Sequence, residues 1–383
     1  MKITLGFCAF LFMLLSIADV NAKSESRKYL LYVGTYTKGE SKGIYAYRYD
    51  AASGELTSLG LAVETANPSF VAADPSGKFL YAVNEFGDYK GAASGAVTAF
   101  SIDRQSGKLS KLNEVASRGA DPCYIAFDKT GKYALVANYT GGSVAVFPVL
   151  KDGRVGEASA FVQHSGKSVH PHQEGPHAHW FETTASNRFA IAADLGLDKL
   201  LVYRFDASNG SLAPNDPPFT KVDPGSGPRH LAFHPDGKFA YVINELNSTI
   251  TAFSYDDAHG VLKVLQTVST LPKDFSGNND TAEIHVHPNG KFLFASNRGH
   301  DSIAVFSIAQ DTGRLSPADD FSTQGKTPRN FEIDPSGSRL FVANQDSGTI
   351  VIFRIDQKTG GLTPTGKILN VPSPVSLRFV PVE

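Results

Sequence analysis

The chain is 383 residues long, and 36 Lys and Arg against 38 Asp and Glu leave a formal net charge of -2. That balance excludes the basic face of a nucleic-acid binder and the charge excess of a disordered acidic chain. Glycine and proline are plentiful, at 35 and 21 residues, and no long amphipathic helix is evident, so the composition reads as all-β with many turns.

The N-terminus is a separate object. Lys2 precedes the apolar run "ITLGFCAFLFMLLSIA", and "DVNA" ends at Ala22. A positive start, an apolar stretch and a small residue at the cut describe a secretory leader, with cleavage expected after Ala22. The apolar run is shorter than the ~20 residues that span a bilayer; an uncleaved anchor is the alternative. Residues 1–22 are therefore read as a signal peptide and 23–383 as the folded domain. The mature protein is expected in a periplasm or outside the cell. Cys8 leaves with the leader, so Cys123 is the one remaining cysteine and no intrachain disulfide can form. Core packing alone must hold the fold, which a chain of this size can manage.

One pattern then recurs in chain order. It begins at "RKYLLYVGT" (27–35) and "DPSGKFLYAVNE" (74–85), followed by "DKTGKYALVANY" (128–139) and "TASNRFAIAADL" (184–195). It returns as "HPDGKFAYVINE" (234–245), "HPNGKFLFASNR" (287–298) and "DPSGSRLFVANQ" (334–345). Each copy has a turn, an apolar strand and a terminal polar or small residue. The period of roughly 50 residues marks a repeat array. A second, alternating strand follows each copy, as in "STITAFSYD" and "GTIVIFRID". Most copies then carry a Gly-x-Leu turn that opens a third strand, for example Gly313-Arg-Leu315. A short apolar strand such as "HLAFHP" precedes each turn. Four strands per unit and seven units predict a seven-bladed β-propeller. The last segment, "PSPVSLRFVP" (372–381), lacks a following partner, and the first, "KYLLYVGT", lacks a preceding one. The two ends are expected to complete one blade and close the ring.

Within each blade, the start of the first strand lies beside the end of the second. Two rings of residues should surround one channel mouth. The first, taken as the residue after Pro in most copies, is Ser69, Cys123, His177, Arg229, Glu283, Arg329 and Val375. The second is Thr35, Glu85, Tyr139, Leu195, Glu245, Arg298 and Gln345. The repeats are apolar inside, yet these rims carry His, Arg and Glu on consecutive blades. Departures of this kind inside a consistent scaffold point to function.

The stretch "SVHPHQEGPHAHW" (168–180) holds His170, His172, His177 and His179. No known metal-ligand spacing appears, and an arginine-rich rim disfavours a divalent ion. His177 is read as a catalytic or substrate-binding residue, with His179 on the same strand face. His170 and His172 are read as loop residues, and no metal or other cofactor is expected. Cys123 is read as a packing residue. His234 and His287 fill the turn slot at the far end of the strands.

Several segments together resemble the seven-bladed lactonase family, that of the propeller 6-phosphogluconolactonase, which includes carboxy-muconate cyclases. They are "GPHAHW" (175–180), "GPRHLAFHPDGKFAYVINEL" (227–246), "AEIHVHPNGKFLFASNRGHDSIAVF" (282–306) and "TPRNFEIDPSG" (327–337). The resemblance implies a site of one His, two Arg and a Glu: His177 (or His179), Arg229, Arg298 and Glu245. It implies catalytic roles for His177, Arg229, Glu245 and Arg298. His179, Glu283, Arg329 and Glu85 are expected as substrate-binding residues. The implied reaction opens a sugar 1,5-lactone to the aldonic acid. Guanidiniums would meet the developing oxyanion, and Glu245 or His177 would activate water. No Gly-x-Ser-x-Gly nucleophile elbow is present. The expected partner is a small lactone, with no nucleic acid, no membrane after leader removal, and a monomeric state. An export leader conflicts with a phosphorylated intracellular substrate. The alternatives are a lactone-forming cyclase, a metal-dependent lactonase and a non-enzymatic exported binding propeller.

Overall fold

The computed structural model describes residues 28–382; the expected leader lies outside them. Seven antiparallel four-stranded sheets are arranged as blades. Six are formed by consecutive strands: Pro68–Ala116, Pro122–Gln163, Ala178–Lys221, Pro228–Ser269, Asp280–Ser322 and Pro328–Asn370, here blades 1 to 6. Blade 7 joins the chain ends. Its innermost strand, Pro374–Pro381, pairs with Lys28–Thr35 from Tyr29↔Pro381 to Thr35↔Pro374. Closure through the termini matches the expectation, and it removes the free sheet edge that an open ring would leave.

Sequence pattern follows position in the blade. The second strand of blade 4, Phe239–Asn244, is buried at every residue. It lies between neighbouring strands and between neighbouring blades, so it has no solvent face and reads as an unbroken apolar run. The outermost strands, such as Leu362–Asn370, are mostly exposed. The Asn that ends most second strands anchors the incoming linker: Asn138 donates to Ser117 O at 3.1 Å, Asn297 to Thr270 O at 3.0 Å and Asn344 to Thr323 O at 3.2 Å.

Neighbouring blades are bolted by a tyrosine on one and a glycine turn on the next. Tyr32 donates to Gly107 O at 3.2 Å, Tyr81 to Gly153 O at 2.7 Å and Tyr241 to Gly313 O at 3.0 Å. These are the Gly-x-Leu turns in most copies. At Gly313 the backbone has φ +66° and a Cβ would stand 2.3 Å from Phe239 Cδ1. Glycine is required twice, for the left-handed conformation and for the close approach.

Gly313→Ala should therefore destabilise the protein by about 2–4 kcal/mol, combining left-handed strain with overpacking. Urea unfolding measures this; a wild-type midpoint would show that the turn relaxes at no cost.

Candidate active site

Every blade carries one extra residue at the head of its innermost strand. In blade 4, Pro228 faces Asn244 and His230 faces Ile243, so Arg229 has no partner of its own. The same bulge sets apart Ser69, Cys123, His179, Arg329 and Val375. In blade 5 two residues, Ala282 and Glu283, oppose Ser296 alone. A bulge bends its strand and re-aims a side chain. Ser69, Cys123, Arg229, Arg329 and Val375 accordingly line one narrow throat, with His230 and Glu283 below.

This geometry corrects the first predicted ring at two places. The blade 3 member is His179, not His177: Ala178, rather than Pro176, occupies the position of Pro228. The blade 5 equivalent of Arg229 is Ala282, and Glu283 takes the place of His230 one step further in. The second ring shifts at one place. Thr35 pairs with Pro374, is fully buried and donates its hydroxyl to Gly43 O at 2.6 Å. Tyr36 takes the rim position instead. Its N–H donates to Ser373 O, as Glu85 donates to Asn67 O and Glu245 to Gly227 O.

The centre of the mouth is an ion-paired cluster. Arg229 Nε and Arg298 Nη2 lie 2.8 and 2.9 Å from the same oxygen, Glu245 Oε2. The Arg229 N–H is not aligned on that oxygen, so the contact is an ion pair. Arg298 Nη2 also donates to Thr281 O at 2.8 Å. Arg229 is only 2% exposed. Burial and the neighbouring Arg329 push its pKa down to about 10 against the pull of Glu245, which still leaves it charged at neutral pH. Burial would raise Glu245, but Arg298, Arg229 and Arg329 outweigh it and hold the carboxyl below its ordinary range.

His177 lies just before the innermost strand of blade 3 and is held from three sides. Its N–H donates to Asp194 Oδ1 at 2.8 Å, and its carbonyl accepts from Leu195 N at 2.9 Å. Its ring stacks on Tyr139 at 4.6 Å between centroids. Nδ1 is 3.1 Å from Tyr139 O. A carbonyl only accepts, so Nδ1 carries a proton, and in the neutral imidazole Nε2 holds the lone pair. Asp194 replaces the Asn of most other blades, and its second oxygen meets His164 Nδ1 at 2.6 Å, fully buried. His179 lies deeper, 4% exposed, with Nδ1 unpartnered. Burial first, then Arg229, His230 and Arg329, push it well below the usual imidazole value, so it is neutral.

Across the mouth stands a group that the predicted rings held only in part. Tyr36 donates to both oxygens of Glu85, at 2.9 and 3.0 Å. Arg329 lies over the Tyr36 ring, 5.3 Å from its centroid. Its side chain makes no hydrogen bond among the described residues, and the negative charges of Glu85 and Glu245 help to hold it protonated despite burial. Glu283, by contrast, sits beneath the mouth at 4% exposure and is saturated by protein donors. Its oxygens are engaged by these protein groups, and it also lines the cavity at the opposite end.

His170 and His172 belong to a short 3-10 turn, Pro171–Gln173, where His170 caps the turn by accepting from His172 N. Among the described residues, no three His, Cys, Asp or Glu side chains are placed to hold a metal. A cavity of about 380 Å³ opens at the opposite mouth, where Glu182, Glu332, Lys129 and Arg378 line it. Those four form no ion pair with one another among the described residues, so the converging guanidiniums mark the other mouth as the candidate site.

Cys123 is buried, and Sγ lies 3.7–3.8 Å from the carbonyls of Ala137, Ala178 and His179. Burial pushes its thiol well up. The chain lacking residues 1–22 should resist thiol alkylation until denatured; rapid labelling of the native protein would contradict this packing.

The comparisons with known proteins agree with this architecture. A family model described as a seven-bladed β-propeller lactonase matches residues 30–379. A 6-phosphogluconolactonase of Bacillus subtilis strain 168 is 40% identical over 307 residues, covering 80% of this chain and 85% of the relative. One from Formosa agariphila is 37% identical over 309 residues, covering 79% and 86%. The solved structure of a periplasmic gluconolactonase from Pseudomonas aeruginosa superposes with a TM-score of 0.86 at 36% identity, over 93% of this chain and 100% of that one. This chain belongs to the seven-bladed β-propeller lactonase family.

Proposed function

We propose that the chain hydrolyses a sugar lactone at the arginine mouth. The observation that carries this reading is the placement of two guanidiniums, Arg229 and Arg298, on one oxygen of Glu245. Glu245 orients both arginines, and they meet the negative charge that develops on the carbonyl oxygen under attack. A carboxylate held below its ordinary pKa is a weak base, which argues against Glu245 as the proton acceptor. His177 fits that role better, because its Nε2 lone pair is fixed by the Nδ1–H contact to Tyr139 O.

In this scheme water attacks the lactone carbon as His177 Nε2 takes its proton. Collapse of the tetrahedral intermediate breaks the ring C–O bond. The imidazolium returns the proton to the ring oxygen, leaving a hydroxy acid. Arg329, with Tyr36 and Glu85, faces the rest of the sugar; a guanidinium with unspent donors suits an anionic or hydroxyl-rich arm.

We further propose that the substrate is an unphosphorylated aldonolactone met outside the cytoplasm. The leader-like sequence of residues 1–22 supports this, as does similarity to the Pseudomonas aeruginosa protein described as periplasmic.

A panel of free and phosphorylated glucono-lactones, assayed by acid release, tests the substrate: kcat/KM should favour the free lactone. Arg229→Ala or Arg298→Ala should each lower kcat about 10²–10³-fold, and His177→Ala about 10²–10⁴-fold. Turnover at the wild-type rate in all three would end the assignment.

The pH profile separates the two candidate bases. A carboxylate with a lowered pKa stays ionised through the usual carboxylate range, so its protonation cannot set the acid limb of kcat/KM near neutrality. An acid limb should therefore persist in Glu245→Gln, and its disappearance in that variant would make Glu245 the base.

A further inference from the structure

Resting on the lactonase reading above, we propose that Glu283, His230 and Asn330 form a positioning chain that fixes the Arg229 guanidinium from beneath. None of the three is a catalytic residue, since their polar atoms are engaged with one another, with Arg229 and with backbone groups beneath the mouth.

The chain begins at Glu283 in blade 5. Its Oε1 accepts from Ile284 N at 3.0 Å and lies 2.8 Å from His230 Nδ1. Its Oε2 accepts from Asn330 Nδ2 at 2.5 Å. Asn330 cannot turn its amide over, because its Oδ1 already accepts from Leu377 N at 2.9 Å. His285 Nε2 approaches Glu283 Oε1 from the far side at 3.8 Å. Every close donor points at the carboxylate, so an ionised Glu283 is the form this pocket accommodates.

A carboxylate accepts only, so His230 Nδ1 must carry the ring proton. His230 Nε2 is then a lone pair, and it lies 3.3 Å from Arg229 Nη1. Arg229 Nη1 also donates to Ala282 O at 2.7 Å. Both hydrogens of Nη1 are thereby committed to blades 4 and 5, and the plane of the guanidinium is set. Glu283 thus decides the tautomer of His230, and the tautomer decides whether Arg229 meets an acceptor or a competing donor. The two-residue bulge of blade 5 is what places Glu283 under His230, beside the Ala282 carbonyl that Arg229 uses.

Conservative variants separate this role from packing. Glu283→Gln keeps the shape but cannot satisfy both neighbours. If its amide nitrogen faces Asn330, two donors clash; if it faces His230, the imidazole must move its proton to Nε2 and confront Arg229. His230→Asn keeps a donor to Glu283 and loses the acceptor for Arg229. His230→Gln carries an acceptor near the Nε2 position and should support Arg229.

Steady-state kinetics of the full-length wild type and these variants on a free aldonolactone provide the first test, with melting temperatures alongside. Misorienting a group that acts in the transition state should lower kcat on the order of 10²-fold and leave KM nearly unchanged. Glu283→Gln and His230→Asn are expected to show that loss, and His230→Gln to recover most of it. Wild-type kcat in the first two would overturn the proposal, as would equal loss in His230→Asn and His230→Gln. The second test needs no substrate and so stands apart from the lactonase reading. Imidazole ¹⁵N spectra should show His230 protonated at Nδ1 in the wild type and altered in Glu283→Gln. A wild-type Nε2–H form would overturn the chain even if lactone turnover is observed. If no lactone turns over, the lactonase reading falls and these spectra alone decide the chain.

Discussion

One unpaired residue at the head of each innermost strand governs what the channel presents to solvent. A regular ladder alternates its side chains between faces, so neighbouring residues cannot both turn toward the axis. The bulge relaxes that alternation locally. In blade 4 it lets Arg229 line the throat while the adjacent His230 meets Glu283 below it. The consequence is a polar centre inside an otherwise apolar ring, and that centre must satisfy itself. Arg229 does so with Glu245 above, Ala282 O at the side and His230 below.

Ring closure makes this arrangement dependable. Blades bolted by tyrosine–glycine contacts, and sealed by pairing the two chain ends, leave little freedom for radial drift. Groups drawn from Glu245 and Arg298, on different blades and more than 50 residues apart in sequence, meet within 2.9 Å. Precision of this kind is what charge stabilisation in a transition state requires, because preorganised donors pay no reorganisation during reaction.

The ring itself was legible in the amino-acid sequence because its signals are local and repeated: a turn, an apolar run, an Asn, a Gly-x-Leu. The split of blade 7 between the termini was legible for the same reason. Strand register at the mouth was only partly so. Proline marks the strand head in most blades, but in "GPHAHW" it stands two residues early, which shifts attention from His179 to His177. Counting back five residues from the turn slot would have found the bulge, since Asp74, Asp128, Thr184, His234, His287 and Asp334 lead back to Ser69, Cys123, His179, Arg229, Ala282 and Arg329. Tyr36 was missed because blade 7 has Thr35 where most others carry Asn, so no familiar landmark flags the residue after it. Which His tautomer is present, and that Glu283 supports rather than touches a ligand, depend on three-dimensional contacts across blades that no spacing encodes.

The central claim is that chemistry occurs at the arginine mouth rather than in the larger cavity at the other end. A crystal structure with the aldonate product bound tests it most directly. The account predicts the product carboxylate against Arg229 and Arg298, its polyol arm toward Arg329, Tyr36 and Glu85, and His177 within reach of the carboxyl carbon. A product seated only in the opposite cavity, among Glu182, Glu332 and Arg378, would contradict it.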